Sequence, residues 1–187
     1  MKAEKPKVET AVLGGGCFWC MEASFLQIEG ILKVESGHMG GQEANPTYEA
    51  VCMGETGHAE VVRIEFDPSL ISYTEVLEIF FSMHDPTSLN RQGDDIGPQF
   101  RSVIFQLNED QRRQARQVIN DMTEQEVFDK PIVTVIEPAG TFWKAEDYHQ
   151  NYYQLHPEEA YCQTDIAPKV AKVRAKFAAR LKAAMRG

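Results

Sequence analysis

Apolar positions along the chain follow two rhythms. Residues 8–13 form a short apolar run that enters Gly14-Gly15-Gly16, as a buried strand feeding a turn would. Phe18, Met21, Phe25 and Ile28 then recur at steps of three and four, one face of a helix that Gly30 ends. Residues 31–35 can extend as a strand, and residues 60–66 (EVVRIEF) alternate until Asp67-Pro68 stops them. Ser72 and Glu75 make a capping box ahead of VLEIFF and open a second helix. Residues 101–107 alternate as a strand. Asn108 caps a third helix with Ala115, Val118, Ile119 and Met122 on its face, and residues 132–136 are β-branched. The order β-α-β-β-α-β-α-β predicts an α+β fold, a two-layer sandwich of helices on a mixed or antiparallel sheet.

Three stretches, 37–57, 85–100 and 138–167, fit neither rhythm. Long irregular segments in a compact domain are usually functional, and residues 142–161 alone hold Phe142, Trp143, Tyr148, Tyr152, Tyr153 and Tyr161. Apolar rings carrying hydroxyls suggest a pocket. Farther on, Val170, Val173, Phe177, Leu181 and Met185 lie on one helical face. Residues 168–187 therefore read as a basic amphipathic helix, an extension docked on a single domain of residues 1–167.

That tail has seven basic and no acidic side chains, yet the 187-residue chain carries a net charge of −9. Such a balance argues against nucleic acid as a partner, whose binding rests on neutralised phosphates. With 43% hydrophobic residues the chain can bury a core without disulfide staples. No apolar run approaches the roughly 18 residues of a spanning helix. The start MKAEKPKVETAV lacks the apolar core of a signal peptide, so a cytoplasmic location with no membrane partner is expected.

In a reducing compartment, four cysteines point to chemistry rather than to a scaffold. Cys17-Phe18-Trp19-Cys20 places a thiol where glycines give way to a helix. Unpaired N–H groups and the positive end of the helix dipole would lower its pKa and raise its thiolate population about tenfold per unit. Cys20, one turn on, lies within reach of whatever forms on Cys17. Glu60 shares a strand face with Val62, Ile64 and Phe66; if that face is the core, its carboxyl either finds a partner or keeps its proton near neutral pH, as a general acid must. Other readings of these residues are a thioredoxin-type dithiol oxidoreductase and a zinc-stabilised interaction module using Cys17, Cys20 and two histidines. Against the zinc module, Cys52, Cys162, His38, His58, His84, His149 and His156 are scattered, with no second C-x-x-C, so no metal site is expected.

The elements Gly16-Cys17-Phe18-Trp19-Cys20, Asn45-Pro46-Thr47-Tyr48-Glu49, Gly57-His58-Ala59-Glu60, His84-Asp85-Pro86, Arg91-Gln92-Gly93-Asp94-Asp95, Gln99-Phe100-Arg101-Ser102 and Ala145-Glu146-Asp147-Tyr148-His149-Gln150 occur in the order seen in A-class peptide methionine sulfoxide reductases, and from about residue 8 to 169 the chain resembles that family. The resemblance implies a ferredoxin-like core and reduction of the S epimer of methionine sulfoxide, free or in proteins. No cofactor is implied; electrons would come from thioredoxin, or from dithiothreitol in vitro. It makes Cys17 the nucleophile, Glu60 the proton donor, and Tyr48 and Tyr152 hydrogen-bond donors to the sulfoxide oxygen. Phe18 and Trp19 would wall the S-methyl group, with Asp95 and Tyr161 also binding substrate. Phe100 stands where the family usually has tyrosine, and Cys52 where it often has an inert cysteine, expected here to be buried. After methionine leaves, a second thiol must condense with the sulfenic acid. Cys20 is favoured by spacing and Cys162 by the resemblance. The preference falls on Cys162, because the aromatic segment could swing to Cys17 whereas Cys20 would have to distort a helical turn.

Overall fold

A computed structural model describes residues 7–186. Residues 1–6 of the charged start and Gly187 lie outside the described residues. The chain forms β1 (Glu9–Gly15), α1 (Phe18–Phe25), β2 (Ile31–Met39), α2 (Tyr48–Cys52), β3 (Ala59–Phe66), α3 (Tyr73–Ser82), β4 (Arg91–Gln92), β5 (Asp95–Ile96), β6 (Ser102–Gln106), α4 (Glu109–Glu124), β7 (Val135–Pro138), β8 (Trp143–Lys144), α5 (Tyr152–Leu155) and α6 (Ala167–Lys176). Six strands make one mixed sheet in the order β7-β6-β1-β3-β2-β8; β4 and β5 pair separately. All neighbours in the large sheet are antiparallel except β6 and β7. Its middle, β6-β1-β3-β2 with α1 and α3 as crossovers, is the β-α-β-β-α-β ferredoxin-like arrangement.

Two predicted caps form: Ser72 Oγ accepts from Glu75 N at 3.1 Å and Asn108 Oδ1 from Gln111 N at 2.8 Å. The predicted α1 face, Phe18, Met21, Phe25 and Ile28, is buried against Leu13, Val62, Ile64 and Phe66 of the sheet and against α3. Val12, Val61, Val103 and Phe105 point to the opposite face, where Phe142 and Ala139 cover them. Among the described residues, no helix is long and apolar enough to cross a membrane.

Boundaries shift where tertiary partners intervene. β2 runs on to Met39, into a stretch expected to be irregular, because Gly37 and His38 pair with Lys144 and Trp143 of β8. The last large-sheet strand before β8 starts at Val135 rather than 132, since Val133 N already donates to Pro86 O at 2.8 Å.

The tail departs most from expectation. A single helix over 168–187 does not form: α6 ends at Lys176, and two 3₁₀ turns, Ala178–Arg180 and Ala183–Met185, follow. Arg180 O accepts from Glu29 N at 2.7 Å and Lys182 N donates to Gln27 O at 2.9 Å, so the chain leaves the helix to satisfy backbone groups stranded beyond the end of α1. The predicted apolar residues still face the body: Val170, Val173 and Leu181 are buried. With the sheet on one side and this tail on the other, α1 buries seven of its eight residues.

Candidate active site

β1 ends at Gly15, and Gly16 turns the chain with φ +96°, a left-handed conformation that L side chains seldom adopt. A Cβ there would lie 2.8 Å from Gln92 Cγ. Gln92 cannot yield readily, since its amide donates to Asp85 O at 2.6 Å and accepts from Asp85 N at 2.9 Å. Gly16→Ala is expected to cost about 2 kcal/mol and to lower Tm by roughly 4–8 °C. A calorimetric Tm within a degree of the parent would show the turn to be unstrained.

This turn delivers Cys17 as the N-cap of α1, in extended conformation and 7% exposed. Its side chain does not cap the helix. The first helical N–H, that of Phe18, instead donates to Glu60 Oε1 at 3.2 Å across 42 residues of sequence. Glu60 is 2% exposed, on the same face as Val62, Ile64 and Phe66, as its alternation predicts. Burial, together with the nearby Cys17, raises its pKa well above the usual carboxyl range, and the Phe18 N–H only partly opposes this. A protonated Glu60 that accepts through Oε1 has its other oxygen free to donate.

Cys17 and Cys20 form one hydrogen-bonded thiol pair. Burial pushes Cys17 well above the ordinary thiol range, and Cys20 beside it adds to the rise. Cys20 goes down, chiefly through the hydrogen bond from Cys17 and further through Lys169, whose Nζ lies 3.8 Å from Sγ. Cys20, the sulfur that Lys169 faces, is therefore the more readily ionised of the two. This corrects the expectation of a depressed Cys17: desolvation outweighs the helix end, whose first N–H is already taken by Glu60.

The tyrosines divide differently from expectation. Tyr161 reaches the thiols: its hydroxyl sits close enough to both sulfurs to lower their pKa values, and it donates to Asp95 Oδ2 at 3.5 Å. Tyr152 does not, because its hydroxyl donates to Glu159, which pushes its pKa up to about 12. Its ring stacks instead on Trp19, 3.8 Å between centroids and 6° from parallel. Half-buried Tyr48 lies against the Cys52 sulfur, and burial raises its pKa. Cys52, expected to be buried, is exposed at the end of α2. Phe18 is fully buried against Tyr48, His38 and His149 and forms a floor, so Trp19 is the half-open wall. Asp95 is half-buried, and burial raises its pKa. Phe100, also half-buried, ends the turn Pro98–Phe100 and brings no hydroxyl.

Cys162 lies fully buried in a π-helical turn, Cys162–Ile166, that runs into α6. The expected loose aromatic segment is thus helical here. Cys162 shares an apolar cluster with Cys17, Cys20, Ala23, Ile166 and Val170.

The sequence profile of the peptide methionine sulfoxide reductase family matches residues 9–181. The chain belongs to that family. Among its relatives, the peptide methionine sulfoxide reductase MsrA of Ralstonia nicotianae is 55% identical over 184 residues, 96% of each chain. Among solved structures, reduced Mxr1 from Saccharomyces cerevisiae superposes with a TM-score of 0.78 at 31% identity, covering 86% of this chain and 92% of the yeast chain. Mxr1 in complex with Trx2 has the same fold, with a TM-score of 0.56 at 23% identity over 81% and 89% of the two chains.

This reductase also holds site residues to which sequence reading gave no role. Trp19 Nε1 donates to His149 Nδ1 at 3.1 Å, His149 Nε2 faces Glu146 Oε2 at 3.2 Å, and Glu146 Oε1 accepts from Tyr48 N at 3.1 Å. One chain of polar contacts thus orients both Trp19 and Tyr48. Glu22, 1% exposed on α1, accepts from Ser36 Oγ at 3.3 Å and from the N–H groups of Asn151 and Tyr152, so it ties down the turn that carries Tyr152. Burial raises its pKa to about 7. The spacing of Glu146 and His149, and a lone glutamate in an otherwise apolar helix, were the available signals.

Proposed function

We propose that the chain reduces the S epimer of methionine sulfoxide, free or within peptides and proteins, with Cys17 as nucleophile and Glu60 as proton donor. The observation that carries this reading is their juxtaposition: two buried groups from β3 and the start of α1, joined through the N–H next to Cys17. The Cys17 proton passes to Cys20, and the Cys17 sulfur attacks the sulfoxide sulfur. Glu60 protonates the oxygen as the S–O bond weakens, while Tyr161 and Tyr48 donate hydrogen bonds to it. The protonated oxygen passes to the Cys17 sulfur as the bond between the two sulfurs breaks, so methionine leaves with its sulfur reduced by two electrons and Cys17 holds the oxygen as a sulfenic acid. Trp19, backed by Phe18, walls the S-methyl group, and Asp95 orients Tyr161.

Cys20 then attacks the sulfenic sulfur. The S–S bond forms, the S–O bond breaks, and the hydroxide leaves as water with the proton that Cys20 gave up; Glu60 recovers its own proton from solvent. Cys20 is preferred to Cys162 because it already bonds Cys17, and because Cys17 lies outside the helix as its cap, so closure need not break a helical turn. A thioredoxin dithiol reduces the disulfide by exchange, in a reducing cytoplasm. The test is turnover of an oxidised peptide with dithiothreitol or thioredoxin, then peptide mapping after substrate without reductant. One methionine per chain and a Cys17–Cys20 link with Cys162 fully alkylatable are expected. No methionine would overturn the activity, and a Cys17–Cys162 link the resolving assignment.

A further inference from the structure

The basic tail has no part in the chemistry so far, yet it sends one side chain into the site. Lys169, in the first turn of α6, is half-buried and directs Nζ to within 3.8 Å of Cys20 Sγ. Of the other basic groups of α6, Arg174 holds Gln27 Oε1 at 2.7 Å and Met185 O at 2.6 Å, Lys176 lies over the Phe177 ring, and Lys172 lines the cavity beside Lys169, Asp95, Tyr161 and Asp165. The π-helical turn at Cys162–Ile166 sets where α6 begins and so where this ammonium arrives. We propose that Lys169 is a positioning residue for the thiol pair: its ammonium holds the anion on Cys20, so that Cys20 first accepts the Cys17 proton and then closes the disulfide.

The surroundings of Cys20 leave this role to Lys169. Facing it are Cys17 at the N-cap of α1, the Tyr161 hydroxyl, Asp95 from β5, and Lys169 from α6. Cys17 and Tyr161 can donate hydrogen bonds to an anionic sulfur but bring no positive charge, while Asp95, with Asp94 and Asp165 near it, works against the anion. Cys162, Ala23, Ile166 and Val170 fill the rest of the cluster with apolar surface. Lys169 is thus the cation that Cys20 meets there, and its attraction favours the charged sulfur.

This inference rests on the proposed reductase chemistry, and the test separates the two. Methionine release from an oxidised peptide is followed in single turnovers from pH 5.5 to 9.5 for the wild type, Lys169→Met, Lys169→Arg and Cys20→Ser, alone and combined. In Lys169→Met the acid limb of the profile should move up by about one pH unit. On that limb the rate then falls about tenfold and recovers as the pH rises, while the alkaline limb stays in place. Lys169→Arg should keep the wild-type profile, and Lys169→Met in a Cys20→Ser background should cause no further loss. An unshifted limb in Lys169→Met, a loss that alkali does not restore, or a further tenfold loss without Cys20 would each overturn the role of Lys169. A wild type that releases no methionine would overturn the reductase reading itself.

Discussion

Cys17→Ser is expected to release no methionine from free or peptide-bound methionine sulfoxide, a loss of more than about 10⁴-fold. A serine hydroxyl does not ionise in this buried site and cannot carry the oxygen away as a sulfenic acid. The neighbouring thiols do not replace it. Cys20 lies one turn into the helix, and Cys162 is fully buried in the cluster behind it. The fold should survive, because the Cys17 side chain makes no capping bond and Glu60 keeps its bond to Phe18 N. The check is methionine release, quantified against protein shown by mass spectrometry to contain no wild type. Turnover above one per cent of the parent would remove the nucleophile assignment.

Glu60→Gln is expected to slow the chemical step by about 10²–10⁴-fold with little change in KM, since an amide can hydrogen-bond the oxygen but cannot protonate it. Burial raises the Glu60 pKa well above the usual carboxyl range, and the donor is lost as pH rises through that raised value. Wild-type rates should therefore fall on the alkaline side, and the Gln variant should lack that limb. Stability follows the same sign. A carboxyl whose folded pKa lies above its unfolded one binds its proton more tightly when folded, so its contribution is fullest below the unfolded value and declines as pH rises toward the folded one. In alkaline buffer the Gln variant should accordingly unfold at a higher temperature than the wild type. Single-turnover rates equal to the wild type across that range would place the proton elsewhere, with Tyr161 and Tyr48 the nearest hydroxyls.

Much of the site was legible because it depends on local pattern. A strand face of Glu60, Val62, Ile64 and Phe66 announces a carboxyl in apolar surroundings whichever strand it pairs with. The capped helices at Ser72 and Asn108 carry their start signals in four residues. The tyrosines were less tractable. Tyr152 and Tyr161 sit in one aromatic stretch with equal claims, and what separates them is the nearest polar group, Glu159 for one and the thiols with Asp95 for the other.

By itself, then, the sequence determined the α+β order, the glycine-to-helix turn that presents Cys17, the spacing that brings Cys20 to it and the inward carboxyl of Glu60. Each depends on residues a few positions apart, where backbone geometry leaves little choice. Only the tertiary structure decided how far burial raises Cys17, which tyrosine faces the thiols, where the tail stops being a helix and that Lys169 meets Cys20. Those outcomes depend on desolvation and on groups up to 149 residues apart, whose energies exist only once the sheet, α1 and α6 have closed around them.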